Sequence, residues 1–391
     1  MGTSERFYHL DWVRVWGISV VFIYHAARIF DPLFWYGTFE VRNAQTSSLF
    51  AVFDFGITFW LMPIFFLIAG ASSSFSLSRR TSGQFIYERV KRLLVPFLFY
   101  LVVLIPPQLY MESVQAKTFQ GSFFSFLPTA FQHIGLDLSN PHIITFPHKH
   151  LWFLWYLFFM SVISLPVLRW LSAETGKALI GRLARLAENS KTIFLYFAPL
   201  AIIRVALAPT FPKYQDYDDF VYWTLLVIYG FILYSDKRFE EAMAKERWNA
   251  FFVGVACYAG FALLGAGGRF VALFEHPAHQ PQSVLFEIFW CLNAWSWLIF
   301  FLSTAKKYFN HASKFLSYAN EALLPFYILH KTVILIIAFN MAALPMNLYA
   351  KFIVLLILSF AGTMFLYECI VRRVNILRVL SGMTVKKKQI Q

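Results

Sequence analysis

Long apolar runs separated by short polar connections recur from one end of the chain to the other. They predict membrane-crossing helices over roughly residues 9-30, 49-77, 94-112, 150-170, 192-208, 220-235, 249-266, 283-303, 318-340 and 348-371. The expected fold is all-α: a polytopic integral membrane bundle of about ten transmembrane helices. No internal repeat and no Pro- or Ser-rich linker divides the chain, so residues 1-391 read as a single domain. Two connections stand apart. Residues 113-149 form the longest one, with His133, Asp137, His142 and His148 on it, and connections of that length are commonly functional. Residues 172-191 set Leu179, Leu183, Leu186 and Ala187 opposite Lys177, Arg182 and Arg185, the pattern of an amphipathic helix lying against phospholipid headgroups.

Composition agrees with a bilayer as the principal partner: 59% of residues are hydrophobic, 20% aromatic and only 14% charged, far from soluble averages. A formal charge of +13 suits nucleic acid only when the basic residues form a face on a soluble fold. Here they sit between apolar runs, so no nucleic-acid partner is expected. Of the 34 Lys and Arg, 25 fall on one side, counting one set of connections, the basic tail 372-391, Arg6 and Arg14. The positive-inside rule puts that set, and both termini, in the cytoplasm and residues 113-149 outside. Asp11 and Arg14 interrupt what would be the apolar core of a cleavable signal peptide, and the later runs alternate correctly only if the first helix is retained. Cys257, Cys291 and Cys369 lie in apolar runs without CxxC spacing, so they read as reduced packing residues. His148 and His150 have a spacing compatible with a metal but lack a third ligand, and no metal is expected.

The first run, Arg6 to Phe30, carries chemistry inside its apolar length: Asp11, Arg14 and His25. Residues 11 apart on a helix are about 16 Å apart and roughly 20° from eclipsed, so Arg14 and His25 share a face, with Asp11 one turn from the arginine as its ion-pair partner. Ionisable groups at such depth mark functional sites by default. Imidazole titrates near neutrality, so His25 is the candidate base, or the first carrier of a transferred group. The plain alternatives are a buried histidine bonded to a backbone carbonyl and an arginine snorkelling to the interface. Asp54 and Glu287 also lie in membrane runs, and Asp54 is a candidate carboxylate partner for His25. Trp152, beside His150, is a candidate platform for a sugar ring.

Five stretches carry a resemblance: the LDxxR pattern followed by His25; MPIFFLIAG at 62-70, similar to an FFxxSG signature with Ala69 in the serine position; ERVKRLLVPF at 88-97, with an RxxR; HLWFL at 150-154; and LPFYILH at 324-330. In this order and spacing the chain resembles acyltransferase family 3, the membrane acyltransferases, over nearly its entire length. LDWVRV, FDPLFWYGTFEVRN and SGQFIYERVKRLLVPFL are similar to the branch that includes the glucan biosynthesis protein C group. The resemblance implies a multi-pass enzyme of the bacterial inner membrane. It would take an acetyl or succinyl group from cytoplasmic acyl-CoA, a substrate and not a permanently bound cofactor, and deliver it to a hydroxyl of an envelope carbohydrate or glucan outside.

It also implies essential roles for Arg14 and His25 and a donor-side role for Arg89 and Arg92. The pyrophosphate and 3'-phosphate of CoA call for directional cations, which arginine supplies. Arg89 and Arg92, three apart, would share a helix face at the cytoplasmic side, though any topology also needs positive-inside charges. His150 and His330 are acceptor-side or supporting candidates. The rival reading is a secondary transporter of a small solute or lipid-linked sugar, which expects repeated halves with matched broken helices; Pro63, Pro96, Pro166 and Pro325 form no such pair. No oligomeric state follows from the sequence.

Overall fold

The computed structural model describes residues 7–33, 40–134, 149–266 and 269–385. Asp137, His142 and His148 of the long connection, and Lys386 to Lys388 of the tail, lie outside the described residues. Among those described there are eighteen α-helices and no strand. The first six are α1 (Tyr8–Ala27), α2 (Ser48–Thr58), α3 (Leu61–Leu77), α4 (Ser82–Arg89), α5 (Val95–Gln115) and α6 (Phe123–Ile134). The next six are α7 (Trp152–Ile163), α8 (Leu165–Ser172), α9 (Glu174–Leu186), α10 (Phe197–Leu207), α11 (Tyr217–Leu233) and α12 (Lys237–Lys245). The last six are α13 (Arg247–Ala266), α14 (Arg269–Glu275), α15 (Pro281–Tyr308), α16 (Lys314–Met341), α17 (Leu348–Leu366) and α18 (Asn375–Leu380).

Every predicted run is helical, but among the described residues the count of crossing-competent helices is lower than ten. Seven stretches of them are long and apolar enough to cross a membrane: Ser48–Leu77, Ser82–Gln115, Ser190–Leu207, Arg247–Gly265, Pro281–Tyr308, Lys314–Met341 and Leu348–Val371. Lys149–Ile163 and Leu165–Ser172, bent by 50°, form an eighth if the pair is one span. The bend falls at Ser164, just ahead of Pro166, whose ring and missing N–H break the helical ladder. The other two expected spans fall short for identifiable reasons. α1 holds His9, Asp11, Arg14 and His25 within its 20 residues, and α11 is 17 residues long and opens on Asp218 and Asp219. The chain is a multi-pass helical membrane protein.

The helices gather into two compact units. Unit 1 takes Met1–Gly17, Gly56–Ile86 and Phe159–Ser313, and unit 2 takes Ile18–Phe55, Tyr87–Phe158 and Lys314–Gln391. In unit 1, α3 and α11 lie so close that a Cβ on Gly70 would stand 1.8 Å from the Val227 carbonyl oxygen and one on Gly230 1.8 Å from that of Leu67. In lipid, where apolar side chains gain little by meeting each other, small residues that let backbones touch are what join helices. Arg204 of α10 is buried among three carboxylates, Glu287 at 2.6 Å, Asp219 at 2.8 Å and Asp218 at 3.5 Å, so Glu287 is accounted for by this ion cluster. On α9 the buried row is Gly176, Ile180 and Ala184, continued past its end by Ala187 of the predicted row, whereas Leu186 is 61% exposed.

In unit 2, α16 packs against α5 and α17. A π-turn, Val90–Leu94, joins α4 to α5, and a second, Tyr367–Val371, extends α17. Beyond it α18 folds back: Tyr100 and Ser381 share a hydrogen bond of 2.7 Å, and buried Arg378 pairs with Glu321 at 3.0 Å. Cys257 and Cys291 are buried; Cys369 is exposed, not packed as its apolar neighbours suggest.

Candidate active site

Three imidazoles converge in unit 2 although 125 and 180 residues separate them in sequence. His25 comes from the last turn of α1, His330 from α16, and His150 from the 3-10 turn Lys149–Leu151 that opens α7. Ring centroids are 5.0 Å apart for His25 and His330, 5.8 Å for His150 and His330, and 6.4 Å for His25 and His150. α1 runs unbroken from Tyr8 to Ala27, so Arg14 and His25 stand on one helix as expected.

The backbone sets the direction of the proton chain. His330 Nδ1 lies 2.6 Å from the Tyr327 carbonyl oxygen and 3.2 Å from that of Phe326. Carbonyls only accept, so Nδ1 carries the proton and Nε2 the lone pair. That lone pair faces His25 Nδ1 at 3.1 Å, and the same Nδ1 lies 3.0 Å from the Val21 carbonyl oxygen. Both neighbours of His25 Nδ1 accept, so it is the protonated nitrogen and Nε2 holds the basic lone pair. His150 and His330 are 3% and 0% exposed, whereas His25 is only half-buried. His25, with a lone pair on Nε2, is therefore the least buried of the three histidines.

The neighbours are polar in a way the sequence did not announce. Gln108 of α5 donates to Thr332 Oγ1 at 2.7 Å and lies 3.4 Å from His150 Nδ1. Lys331, next to His330, is buried in a 2.7 Å ion pair with Glu40. Lys149, next to His150, bridges Glu112 at 2.7 Å and Glu40 at 3.5 Å. Burial works against the charge on Glu40, but the Lys331 and Lys149 ammonium groups outweigh it and hold the carboxyl at about 2 instead of 4.5.

A carboxyl depressed on folding contributes stability above its unfolded pKa and loses it as pH falls through the folded one. Glu40→Gln is therefore expected to lower the unfolding free energy by about 2 kcal/mol at neutral pH. The deficit is constant down to 4.5, narrows below it and is gone near 2, which thermal melts of the two proteins across pH would read.

The other predicted residues are placed differently. Arg14 pairs with Asp11 at 3.0 Å and donates to Ser72, all within unit 1. Arg89 ends α4 and Arg92 lies in the π-turn that follows, whose wider coil rotates the two apart relative to α-helical spacing. Arg92 pairs with Glu88 at 3.1 Å with 57% of its side chain exposed, a contact weak enough to yield to a phosphate. Asp54 lies 3.6 Å from the Arg28 guanidinium, and His330 is a side-chain partner of His25. Trp152 is 8% exposed and meets Tyr156 edge-on, so it is packed and not presented to a sugar. Among the described residues no group of three His, Cys, Asp or Glu is arranged to hold a metal ion.

This arrangement can remove a proton from a hydroxyl while that oxygen attacks an activated carbonyl. No curated protein and no solved structure matches the chain. The model of a family described as an acyltransferase domain matches residues 7–368. That match spans both units and every residue of the site, and on it the chain belongs to acyltransferase family 3 and is an enzyme transferring acyl groups other than aminoacyl groups.

Proposed function

We propose that the protein moves an acetyl or succinyl group from cytoplasmic acyl-CoA to a hydroxyl of an envelope carbohydrate, with both termini in the cytoplasm of a bacterial inner membrane. The observation that carries this reading is the His25–His330 pair, at 3.1 Å, whose proton order leaves a base on the half-buried ring. His25 Nε2 takes the hydroxyl proton as the oxygen attacks the thioester carbon. The C–O bond forms, the C–S bond breaks, and the CoA thiolate leaves and recovers the proton from the imidazolium. His330 accepts from His25 Nδ1–H throughout and holds the ring in the productive tautomer. Arg14, Arg89 and Arg92 are assigned to the donor phosphates or its carbonyl, because arginine offers fixed, paired donors to anions.

The sidedness follows from the distribution of Lys and Arg, and the glucan preference from the branch resemblance. The test is purified protein in nanodiscs given acyl-labelled CoA and a β-glucan oligosaccharide. Label covalently attached to the oligosaccharide supports transfer; label that stays on CoA, with none on envelope polymers from expressing cells, overturns it and is what a transporter would give.

A further inference from the structure

Gln108 is buried beside the histidines with one of its polar atoms unmatched. It follows Pro106 and Pro107 inside α5 and is 0% exposed. His150 fixes which way round its amide sits. The His150 Nε2 proton goes to the Ile328 carbonyl at 2.8 Å, so Nδ1 is a lone pair that needs a donor, and the donor facing it is Gln108 Nε2. Thr332 Oγ1 accepts from the same nitrogen at 2.7 Å. The carbonyl oxygen Oε1 then meets no donor among the described residues. A buried acceptor left unmatched costs about 1–3 kcal/mol, and one beside a reacting centre is explained most simply by a partner that arrives with the substrate.

Two donor chemistries carried by the substrates suit this acceptor: a hydroxyl of the acceptor and an amide N–H of the pantetheine arm. The surroundings favour the hydroxyl. Gln108 lies one helical turn before Glu112 on α5, and Glu112 bonds Lys149, the neighbour of His150. Thr332 is likewise followed back along α16 by Lys331 and its partner Glu40. Groups that both donate and accept suit a polyol, which does the same; the pantetheine arm is largely apolar between its two amides.

We infer that Gln108 Oε1 accepts a hydrogen bond from the hydroxyl adjacent to the one that is acylated, so that the site selects vicinal polyols. This rests on the transfer reading above, with His25 as the base that takes the reacting proton.

The experiment uses the full-length protein in nanodiscs, labelled acetyl-CoA, and a β-glucan oligosaccharide alongside its monodeoxy analogues. Gln108→Leu is expected to raise KM for the oligosaccharide about tenfold, the upper end for one hydrogen bond, with KM for acetyl-CoA within about twofold. Gln108→Asn, which keeps both the amide donor and the acceptor oxygen on a shorter arm, recovers part of the loss. The deoxy analogue lacking the adjacent hydroxyl lowers wild-type transfer by a similar factor but leaves Gln108→Leu unaffected. Should Gln108→Leu not fold, Thr332→Val, which removes the anchor of the amide, replaces it in the same comparison. Losses from mutation and deoxygenation that multiply, or a rise in KM for acetyl-CoA instead, overturn the inference while transfer itself stands. A wild-type protein that labels no oligosaccharide brings down the transfer reading first.

Discussion

Valine at Gly230 is expected to leave little folded protein. The reason lies in the crossing of α3 and α11, where each helix presses a glycine against the other's main chain. A Cβ on Gly230 would lie 1.8 Å from the Leu67 oxygen and 2.8 Å from the Ala71 nitrogen, against the 3.4–4 Å of ordinary contact. Overpacking costs about 1–3 kcal/mol where side chains can rotate away. Here the obstacle is backbone, so the helices themselves must separate, and the neighbouring Phe66–Trp223 stack at 5.1 Å would be pulled apart with them. The loss is on the order of 5 kcal/mol, comparable to the whole stability of a domain. Size-exclusion profiles and thermal unfolding in detergent read it directly. Gly70→Ala and Gly230→Ala, which bring the same Cβ without the branched methyls, should each melt well below the parent, and melting points indistinguishable from the parent's would mean the backbones do not touch. The same crossing gives the Ala69-Gly70 end of the apolar signature a physical reason: what that position requires is the absence of a side chain.

The hydrophobic pattern was enough to place the long apolar helices, because burial in lipid leaves the same mark on a sequence whatever the tertiary arrangement, but α4, α6, α12, α14 and α18 lie in stretches that read as connections or tail. It could not see the π-turn at Val90–Leu94, since an extra residue in a coil changes no hydropathy, and so it put Arg89 and Arg92 on one face. Nor could it tell a cation in a connection from a cation in a buried pair. Arg28, Arg204 and Lys351 are not among the 25 Lys and Arg of the cytoplasmic set; they are 4%, 8% and 5% exposed and answer to Asp31, Glu287 and Asn43.

His25 was legible because a histidine deep in an apolar run is expensive wherever it points. That His150 and His330 would meet it was not, because contact between residues so far apart depends on packing that no local pattern encodes. Two signals were present and unread: Lys331 beside His330 in an apolar helix, and Gln108 straight after two prolines in another. Each is a polar residue at membrane depth, and each belongs to the site's surroundings.

Replacing His25 by alanine is expected to lower acyl transfer about 10³-fold, the middle of the range for a positioned general base, with unfolding temperature near the parent's because the ring is only half-buried. His330→Ala should fall about 10–100-fold, a share of that same range. His330 acts on the substrate only through His25 Nδ1, 3.1 Å away, so the double variant should be no worse than His25→Ala alone; effects of residues that work as a unit do not add. A purely structural role for His330 would give a different pattern, with the two losses multiplying and melting temperature falling in step with activity. The conservative variants separate the cases further. His330→Gln keeps an oxygen able to accept from Nδ1–H and should recover much of kcat with KM unchanged. His330→Phe fills the space beside Phe326, which stacks on the imidazole at 5.9 Å, but supplies no acceptor and should remain as slow as alanine.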